Sequence, residues 1–192
     1  YFQTIEKKSY LNLISHTEGG VLPLGVVAGS VRDDFVTYIL TSIEGEVQRN
    51  GDLVSLTGSS TATLSFAGTL PDGRTIAKKL TFSGNSYVIK VSYALDAESA
   101  DGTALEWSYF DPQATHDERF DYKGFIILSE NKTLRVPIGK VAGETEYTGE
   151  WSTFSDMYFM EAVVPAKTSR IQITKEDKVY LMRVQGGRSE EH

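Results

Sequence analysis

The side chains that could do acid–base or metal chemistry are few and lie in polar segments. The histidines are His16, His116 and His192. His116 stands in "THDER" beside Asp117 and Glu118, where an imidazole and two carboxylates could act as a general acid–base group or bind a metal ion. Neighbours in a polar loop seldom converge on one point, so we interpret this segment as solvated surface. We expect no catalytic residue, no metal site and no cofactor.

Other signatures of catalysis are missing from the sequence. The chain has no cysteine, which excludes thiolate nucleophiles, thiolate metal sites and disulfides. The serines of "GSS" at 58–60 lack the glycine spacing of a hydrolase nucleophile elbow, and the sequence has no glycine-rich phosphate loop. A carboxylate pair of the glycosidase type stays open, because strands can bring distant Asp and Glu side chains together across a groove.

The charge balance argues against two classes of partner. Lysine and arginine number 19, aspartate and glutamate number 26, and the net charge is −7. The resulting field repels nucleic-acid phosphates and anionic lipid headgroups, so we expect no nucleic-acid partner. No apolar run approaches the roughly 18–20 residues that cross a bilayer, so the sequence predicts no membrane span of its own.

Aromatic side chains in turn-rich surroundings form the candidate partner or ligand surface. They are Trp107, Tyr109 and Phe110 of "EWSYFDP" and Trp151 and Phe154 of "GEWSTFSDMYFMEAVVP". In one interpretation these rings close the open ends of a β-sandwich core, because aromatic residues dominate core burial. In the other they form an exposed platform that stacks on sugars or docks a protein.

The elements that must position these residues are predicted to be β-strands. In "YVIKVSYAL" (87–95) apolar and polar residues alternate, which is typical of a strand with one buried side. "TATLSFAG" (61–68) repeats the pattern, and Asn50-Gly51 is typical of a two-residue hairpin turn. The segment "DAESADGTALEW" (96–107) is predicted to be a loop. Further β-branched and aromatic runs predict strands at 35–42, 52–58, 75–84, 124–129, 158–165, 170–175 and 178–184.

The spacing of these strands indicates the fold class. Successive strands follow one another at intervals of about ten residues and are joined by turn sequences such as "LPDGR". This arrangement favours an antiparallel meander folded into a sandwich or barrel over alternating strand–helix units. We therefore predict an all-β fold with little helix, organised as a single domain over residues 1–192.

The stretch 149–165 contains a turn and then a strand. Ser155 and Asp156 suit the turn, because their side chains can bond nearby backbone amides. Pro165 ends the strand, because proline cannot donate to a ladder. We expect Trp151 to seal one edge of the sandwich. The alternation predicts one face made of Phe159, Glu161 and Val163 and an apolar face, placed in the core, made of Tyr158, Met160, Ala162 and Val164.

Four segments in a fixed order carry a family pattern. They are "KKLTFSGNSYVIKVSYAL" (78–95), "WSYFDP" (107–112), "FDYKGFIIL" (120–128) and "GEWSTFSDMYFMEAVVP" (149–165). Together they resemble the first, large periplasmic domain of the YidC/Oxa family of bacterial inner-membrane insertases, and the likeness touches most of residues 10–165. Met157 stands where the family usually carries lysine, and Glu150 separates the glycine from the tryptophan.

The resemblance implies a fold, a location and partners. The implied fold is a β-supersandwich similar to galactose-mutarotase-like folds. Its implied place is the periplasm, within a multi-pass inner-membrane protein of a Gram-negative bacterium. The implied role is that of a non-enzymatic module of an insertase and chaperone, whose nascent membrane-protein substrates meet membrane helices outside this chain. The implied partners of the domain are SecD and SecF beside the Sec translocon.

Two other hypotheses stay open. A mutarotase-type domain would bind or epimerise sugars, and such an epimerase needs a histidine and a carboxylate that face each other in the concave sheet. His16 and His116 both lie in predicted loops, which disfavours this hypothesis. A structural β-domain without a defined ligand is the third hypothesis.

Overall fold

Two compact units, each built from antiparallel strands, make up the described part of the chain. The computed structural model describes residues 2–3, 10–11, 24–51, 53–96, 102–110, 122–155 and 160–186. The larger unit comprises Tyr1–Gly29 and Asp101–His192, and the smaller unit comprises Ser30–Ala100.

The secondary structure of the described residues is nearly all strand. One turn of 3-10 helix lies at Ile138–Lys140, and no helix in the described ranges is long and apolar enough to cross a membrane. In chain order the strands are β1 (Phe2–Gln3), β2 (Tyr10–Leu11), β3 (Gly25–Ala28), β4 (Val31–Arg32), β5 (Ile39–Gly45), β6 (Gln48–Asn50), β7 (Leu53–Ser55), β8 (Thr61–Thr69), β9 (Thr75–Ser83), β10 (Lys90–Leu95), β11 (Thr103–Phe110), β12 (Gly124–Ser129), β13 (Lys132–Pro137), β14 (Thr145–Gly149), β15 (Trp151–Ser155), β16 (Met160–Val163), β17 (Ser169–Glu176) and β18 (Val179–Gln185).

The larger unit is a sandwich of two sheets. In the first, called the β18 sheet, the strands run in the order β14–β17–β18–β11–β3; in the second, called the β12 sheet, the order is β13–β12–β15–β16. All of these neighbours are antiparallel. Ile171 faces Val184 and Ile173 faces Met182 across β17 and β18, so both strands present apolar residues on the same face.

The core of the larger unit lies between these two sheets. Phe125 and Ile127 come from β12 and Phe154 from β15, and they meet residues of β17 and β18. The remaining buried members of this core cluster are Ile138, Val141, Ile171, Ile173, Tyr180, Met182 and Val184. Because successive strand residues point to opposite faces, the same strands carry a second set of side chains on the side away from this cluster.

The smaller unit contains a four-stranded sheet and a separate hairpin. The sheet runs in the order β10–β9–β8–β5, and the hairpin joins β6 to β7. The "LPDGR" turn connects β8 to β9: the amide of Gly73 donates to the carbonyl of Leu70 at 2.9 Å. The side chain of Arg74 pairs with Asp72 at 2.6 Å in the same turn. These contacts support the register of β8 and β9, in which Thr69 pairs with Thr75.

The predicted all-β, antiparallel fold with little helix is confirmed. Strand 61–68 is observed as β8, and the strand predicted at 124–129 has those bounds in β12. The hairpin predicted at Asn50-Gly51 is present, but Asn50 belongs to the strand and pairs with Leu53. The loop therefore begins at Gly51, which has a φ of 59°. A single domain over residues 1–192 stays a prediction.

Several local predictions are wrong. The strand predicted at 35–42 begins only at Ile39, and Phe35 is 92% exposed. The end of the predicted loop 96–107 belongs to β11, which begins at Thr103 and pairs with β3 and β18 on its two sides. This central position stabilises the strand, and Thr103 and Trp107 at the end of the predicted loop are themselves residue types that favour strands. The predicted strand 87–95 begins only at Lys90, and Tyr87 before it is 95% exposed. A turn follows β9 at residues 84–85, and residues 86–89 before β10 are irregular.

Candidate functional site

Tyr109 and Phe154 are two of the candidate surface aromatics, and the structure brings them together. Tyr109 lies on β11 and Phe154 on β15 of the opposite sheet; their rings stack with centroids 3.7 Å apart and planes at 21°. The ring of Phe125 meets that of Phe154 edge-on, with centroids 5.2 Å apart. Phe154 is only 4% exposed. These rings therefore fill space between the two sheets of the larger unit.

Trp107 connects the two sheets by a polar contact. It lies on the same face of β11 as Tyr109 and packs, partly buried, against the core cluster. Its indole N–H donates to a carboxylate oxygen of Glu161 on β16. The hydroxyl of Thr153 on β15 donates to the backbone oxygen of Glu161 at 2.6 Å. Glu161 is thus held from both sides, through its side chain and its backbone.

The orientation of β16 is the reverse of the predicted one. Glu161 and Val163 face the sandwich, and Val163 packs against the core cluster. Met160 and Val164, which were predicted to be in the core, are 66% and 73% exposed, and Ala162 between them is also exposed. The indole N–H of Trp107 supplies the reason, because a partly buried donor needs an acceptor and Glu161 provides one.

Met160 and Ala162 on β16 and Val164 directly after it have exposed side chains, and these three residues are called here the apolar edge row. β16 is the last strand of the β12 sheet and has β15 as its neighbour among the described strands. The row is therefore carried by a strand at a sheet edge. An exposed edge with apolar side chains is a template for pairing with another chain, which natural proteins usually disguise with charge.

Two cationic side chains of the larger unit lie over tyrosine rings. The ammonium of Lys123 lies 5.0 Å from the centroid of the Tyr109 ring, and the guanidinium of Arg135 lies 5.5 Å from that of Tyr122. The Tyr122 hydroxyl donates to the carbonyl of Phe125 at 2.5 Å. Burial raises the pKa of Tyr122 above its ordinary value. This phenol therefore remains a neutral hydrogen-bond donor at physiological pH.

The other candidate residues occupy strand positions or lie outside the described residues. Trp151 begins β15, is half-buried and pairs with Leu128 on β12. Phe110 is the last residue of β11 and pairs with Val179. Ser155 ends β15 opposite Met160, and half-buried Pro165 follows β16. Asp156, Tyr158 and Phe159 lie outside the described residues, as does the predicted turn at 155–156 beyond Ser155.

The candidate acid–base residues cannot be placed. His16, His116 and His192 all lie outside the described residues, as do Asp117 and Glu118. Both the solvated-surface interpretation of "THDER" and the sugar-epimerase hypothesis therefore stay predictions. Over the described ranges no group of three or more His, Asp or Glu side chains is arranged to hold a metal ion.

Glu161 and the apolar edge row were missed by reasoning from the sequence. The alternation in "YFMEAVV" is symmetric, so it predicts two faces without saying which one is inside. The residue that could have indicated which face of the strand is inside is Glu161. An acid in the middle of an apolar strand indicates either solvent or a fixed partner, and the unpaired indole donor of Trp107 was an available partner.

Comparison with known proteins agrees with the resemblance found in the sequence. The family described as the YidC periplasmic domain matches residues 1–189. A curated relative, "Membrane protein insertase YidC" of Geotalea daltonii, is 28% identical over 121 residues, which are 59% of this chain and 23% of the relative. The chain thus covers less than a quarter of that relative. Because the family match extends over nearly all of the sequence, the chain belongs to the YidC periplasmic domain family.

Proposed function

We propose that this chain is a non-catalytic docking module, located in the periplasm, of an inner-membrane insertase that assists the insertion and folding of inner-membrane proteins. Its docking element is β16, and its partner is the periplasmic part of a Sec accessory subunit, SecD or SecF. The observation that carries the proposal is the apolar edge row, with Met160 and Val164 exposed by 66% and 73%.

The edge position of β16 supports recognition by strand addition. A strand at a sheet edge has backbone amides and carbonyls directed away from its one neighbour, and an extended segment of a partner can pair with them. In such pairing, main-chain hydrogen bonds give affinity and alternate side chains give specificity. Met160 and Ala162 would supply those alternate side chains on one face of β16, and exposed Val164 follows directly after the strand.

The interior side of β16 supports the same role by fixing the strand. Glu161 is bonded to Trp107 and Thr153, and Val163 packs into the core cluster. A rigid edge loses little conformational entropy when a partner pairs with it, which favours affinity. The choice of SecD or SecF follows the resemblance described from the sequence, and the match to the YidC periplasmic domain family supports a partner in the periplasm.

A site-directed photo-crosslinking experiment tests the proposal. A photoreactive amino acid replaces Ala162 in the purified 192-residue chain, which is mixed with the purified periplasmic domains of SecD and SecF. We expect a crosslinked product with one of the two domains. Its yield should fall when Met160 and Val164 are both replaced by serine, because the substitutions remove the apolar contacts of the row.

The matched control carries the same photoreactive amino acid at Thr133, an exposed residue of β13 at the opposite edge of the β12 sheet. This site should give little product. Equal yields at 133 and 162, or the absence of product at 162 with both domains, would contradict the proposal. Unchanged thermal unfolding of the M160S/V164S variant shows that a loss of crosslinking reflects docking and not misfolding.

A further inference from the structure

A polar cavity opens on the face of the β18 sheet that points away from the aromatic core. Its volume is about 150 Å³. The strand residues that line it alternate with core residues such as Ile171 and Met182, which places the cavity on the opposite side of the sheet. The side chains that matter for its chemistry are Arg170, Arg183, Glu146, Gln172 and Gln185.

Arg183 is anchored at the centre of this face by its neighbours in register. It lies between Gln172 on β17 and Glu106 on β11. Its Nε donates to the Glu106 carboxylate at 2.5 Å, and its Nη1 donates to the Gln172 side-chain oxygen at 3.3 Å. Glu106 is completely buried. A buried ion pair seldom stabilises a fold more than apolar residues of similar volume would. We therefore infer that Glu106 serves to position the Arg183 guanidinium.

The anchoring leaves donors directed to the cavity. Two of the three nitrogens of the Arg183 guanidinium are engaged, and within the described part of the chain its Nη2 has no acceptor. The oxygen of Gln172 already accepts from Arg183, so its amide nitrogen is the end that remains for a ligand. The floor of the cavity therefore offers N–H donors and selects an acceptor.

The mouth of the cavity can supply a second guanidinium. Arg170 lies 3.3 Å from Glu146, and both side chains are largely exposed. Exposed pairs of this kind are worth about 0–1 kcal/mol, so Arg170 can turn to a new anionic partner at little cost. A guanidinium can bind a carboxylate through two parallel N–H···O bonds, so Arg170 would add to the donors at the floor of the cavity.

The size of the cavity limits the ligand to a small terminal group. A volume of about 150 Å³ is well below the roughly 300–1,000 Å³ of sites that enclose drug-sized molecules. A small terminal group such as a carboxylate is of the size that this cavity can take. The rest of such a ligand would remain outside.

We propose that this cavity binds a carboxylate group of a polypeptide. Arg183 and Gln172 would hold the carboxylate at the floor of the cavity, and Arg170 would hold it at the mouth. The carboxylate belongs either to an acidic side chain or to the carboxyl terminus of a partner chain. The site lies on a different sheet from the apolar edge row and does not depend on the docking proposed for β16.

Titration of the 192-residue chain with three short peptides tests this inference. The first carries a central glutamate and an amidated end, the second a glutamine and a free carboxyl terminus, and the third a glutamine and an amidated end. Binding is followed by the NMR signals of the Arg183 Nε–H and the Gln172 amide group. We expect saturable shifts with the first, the second or both, and none with the third. The stronger of the two carboxylate peptides identifies the source.

Variants separate the site from general charge attraction. Arg170→Gln removes an exposed guanidinium and should weaken carboxylate binding several-fold without changing the fold. Arg183→Met should weaken it by about tenfold or more. Arg135→Gln, which removes the same charge from exposed β13 of the other sheet, should have no effect.

Three results would overturn the inference. The first is equal binding of all three peptides, and the second is equal weakening by R135Q and R170Q. The third is saturable binding of galactose or glucose at the Arg183 signals with no response to the carboxylate peptides, which would favour the sugar-binding hypothesis. If R183M does not fold, R170Q together with Gln172→Leu provides the same comparison.

Discussion

Trp107 on β11 donates its indole N–H to the carboxylate of Glu161 on β16, and this bond joins the two sheets of the larger unit. The two residues are 54 positions apart in the sequence. The bond fixes which side of β16 faces the interior. It thereby determines that Met160, Ala162 and Val164 are on the surface.

The first prediction concerns this bond. Trp107→Phe keeps an aromatic ring but removes the donor, and we expect it to lower the free energy of unfolding by about 2 kcal/mol, because hydrogen bonds to charged groups contribute about 1.5–3 kcal/mol. Glu161→Gln should cost less, since an amide oxygen can still accept from the indole. Chemical denaturation of the purified chain measures both values.

The control for these variants is Glu150→Gln, which neutralises an exposed acid at the start of the adjacent strand. It should change the free energy of unfolding by no more than about 0.5 kcal/mol. If W107F were as stable as E150Q, the indole bond would not be what orients β16.

The strands β12 and β16 show how far sequence patterns predict this fold. For β12, the bounds follow from a short run of Phe, Ile and Leu between a glycine and a polar turn, all of which is local. For β16, the pattern has apolar residues on both faces, and the choice depends on a partner 54 residues away. Information of that kind is absent from any local window.

The same distinction applies to the candidate site. The sequence could place Trp107, Tyr109 and Phe154 among the aromatic residues that pack together, but not assign Tyr109 and Phe154 to facing sheets. It could not predict the Arg183 cavity either, because Glu106, Gln172 and Arg183 come from three strands whose register is set by pairing. A site whose residues come from several strands can be predicted only when the order and register of those strands are known.

The second prediction concerns the close approach of strands at Gly149. A Cβ atom at this position would lie 2.7 Å from the Cγ2 of Ile127 and 2.7 Å from the Cδ1 of Ile171. Gly149→Ala should therefore destabilise the chain by about 1–3 kcal/mol through overpacking. Thermal unfolding measures the effect, and Thr148→Ala at the exposed neighbouring position is the control.

A second variant makes this prediction more specific. Ile171→Val removes the Cδ1 atom that the new methyl group would meet, so G149A and I171V together should cost less than the sum of the two single changes. The relief is partial, because Ile127 Cγ2 at 2.7 Å and the Leu128 carbonyl oxygen at 2.9 Å remain. Strict additivity would show that the contact with Ile171 does not contribute to the loss.

The third prediction concerns the buried pair of Glu106 and Arg183. Arg183→Met takes away the guanidinium that contacts a completely buried carboxylate, and we expect a loss of about 3–5 kcal/mol. The double variant E106L/R183M should be more stable than R183M alone, because it replaces the pair by apolar side chains. Urea denaturation of the unchanged chain, R183M, E106L and the double variant gives the four free energies of unfolding of a double-mutant cycle. A double variant that lost the sum of the single effects would refute this account.

In the smaller unit, Tyr38 is tied to a buried acid. Its hydroxyl donates to the Asp33 carboxylate at 2.5 Å, and the same carboxylate pairs with the ammonium of Lys78. The Lys78 ammonium also lies 4.9 Å from the centroid of the Tyr38 ring. Burial is the largest cause that raises the pKa of Tyr38 far above its ordinary value of 10.0, and the bond to Asp33 adds to it.

The fourth prediction follows from the sign of that shift. Above pH 10.0 the tyrosine of the unfolded chain loses its proton while folded Tyr38 keeps it, so the folded state binds more protons and stability falls as pH rises. Tyr38→Phe should make this alkaline decline shallower, whereas Tyr87→Phe, at a tyrosine that is 95% exposed, should leave it unchanged. The measurement is chemical denaturation at a series of pH values from 8 to about 12, across the ordinary tyrosine range.

A second tyrosine contributes to the same effect. Burial raises the pKa of Tyr122 as well, so part of the alkaline loss of stability should remain in Y38F. Identical pH profiles for Y38F and Y87F would show that neither burial nor the contact with Asp33 raises the pKa of Tyr38 in the folded chain.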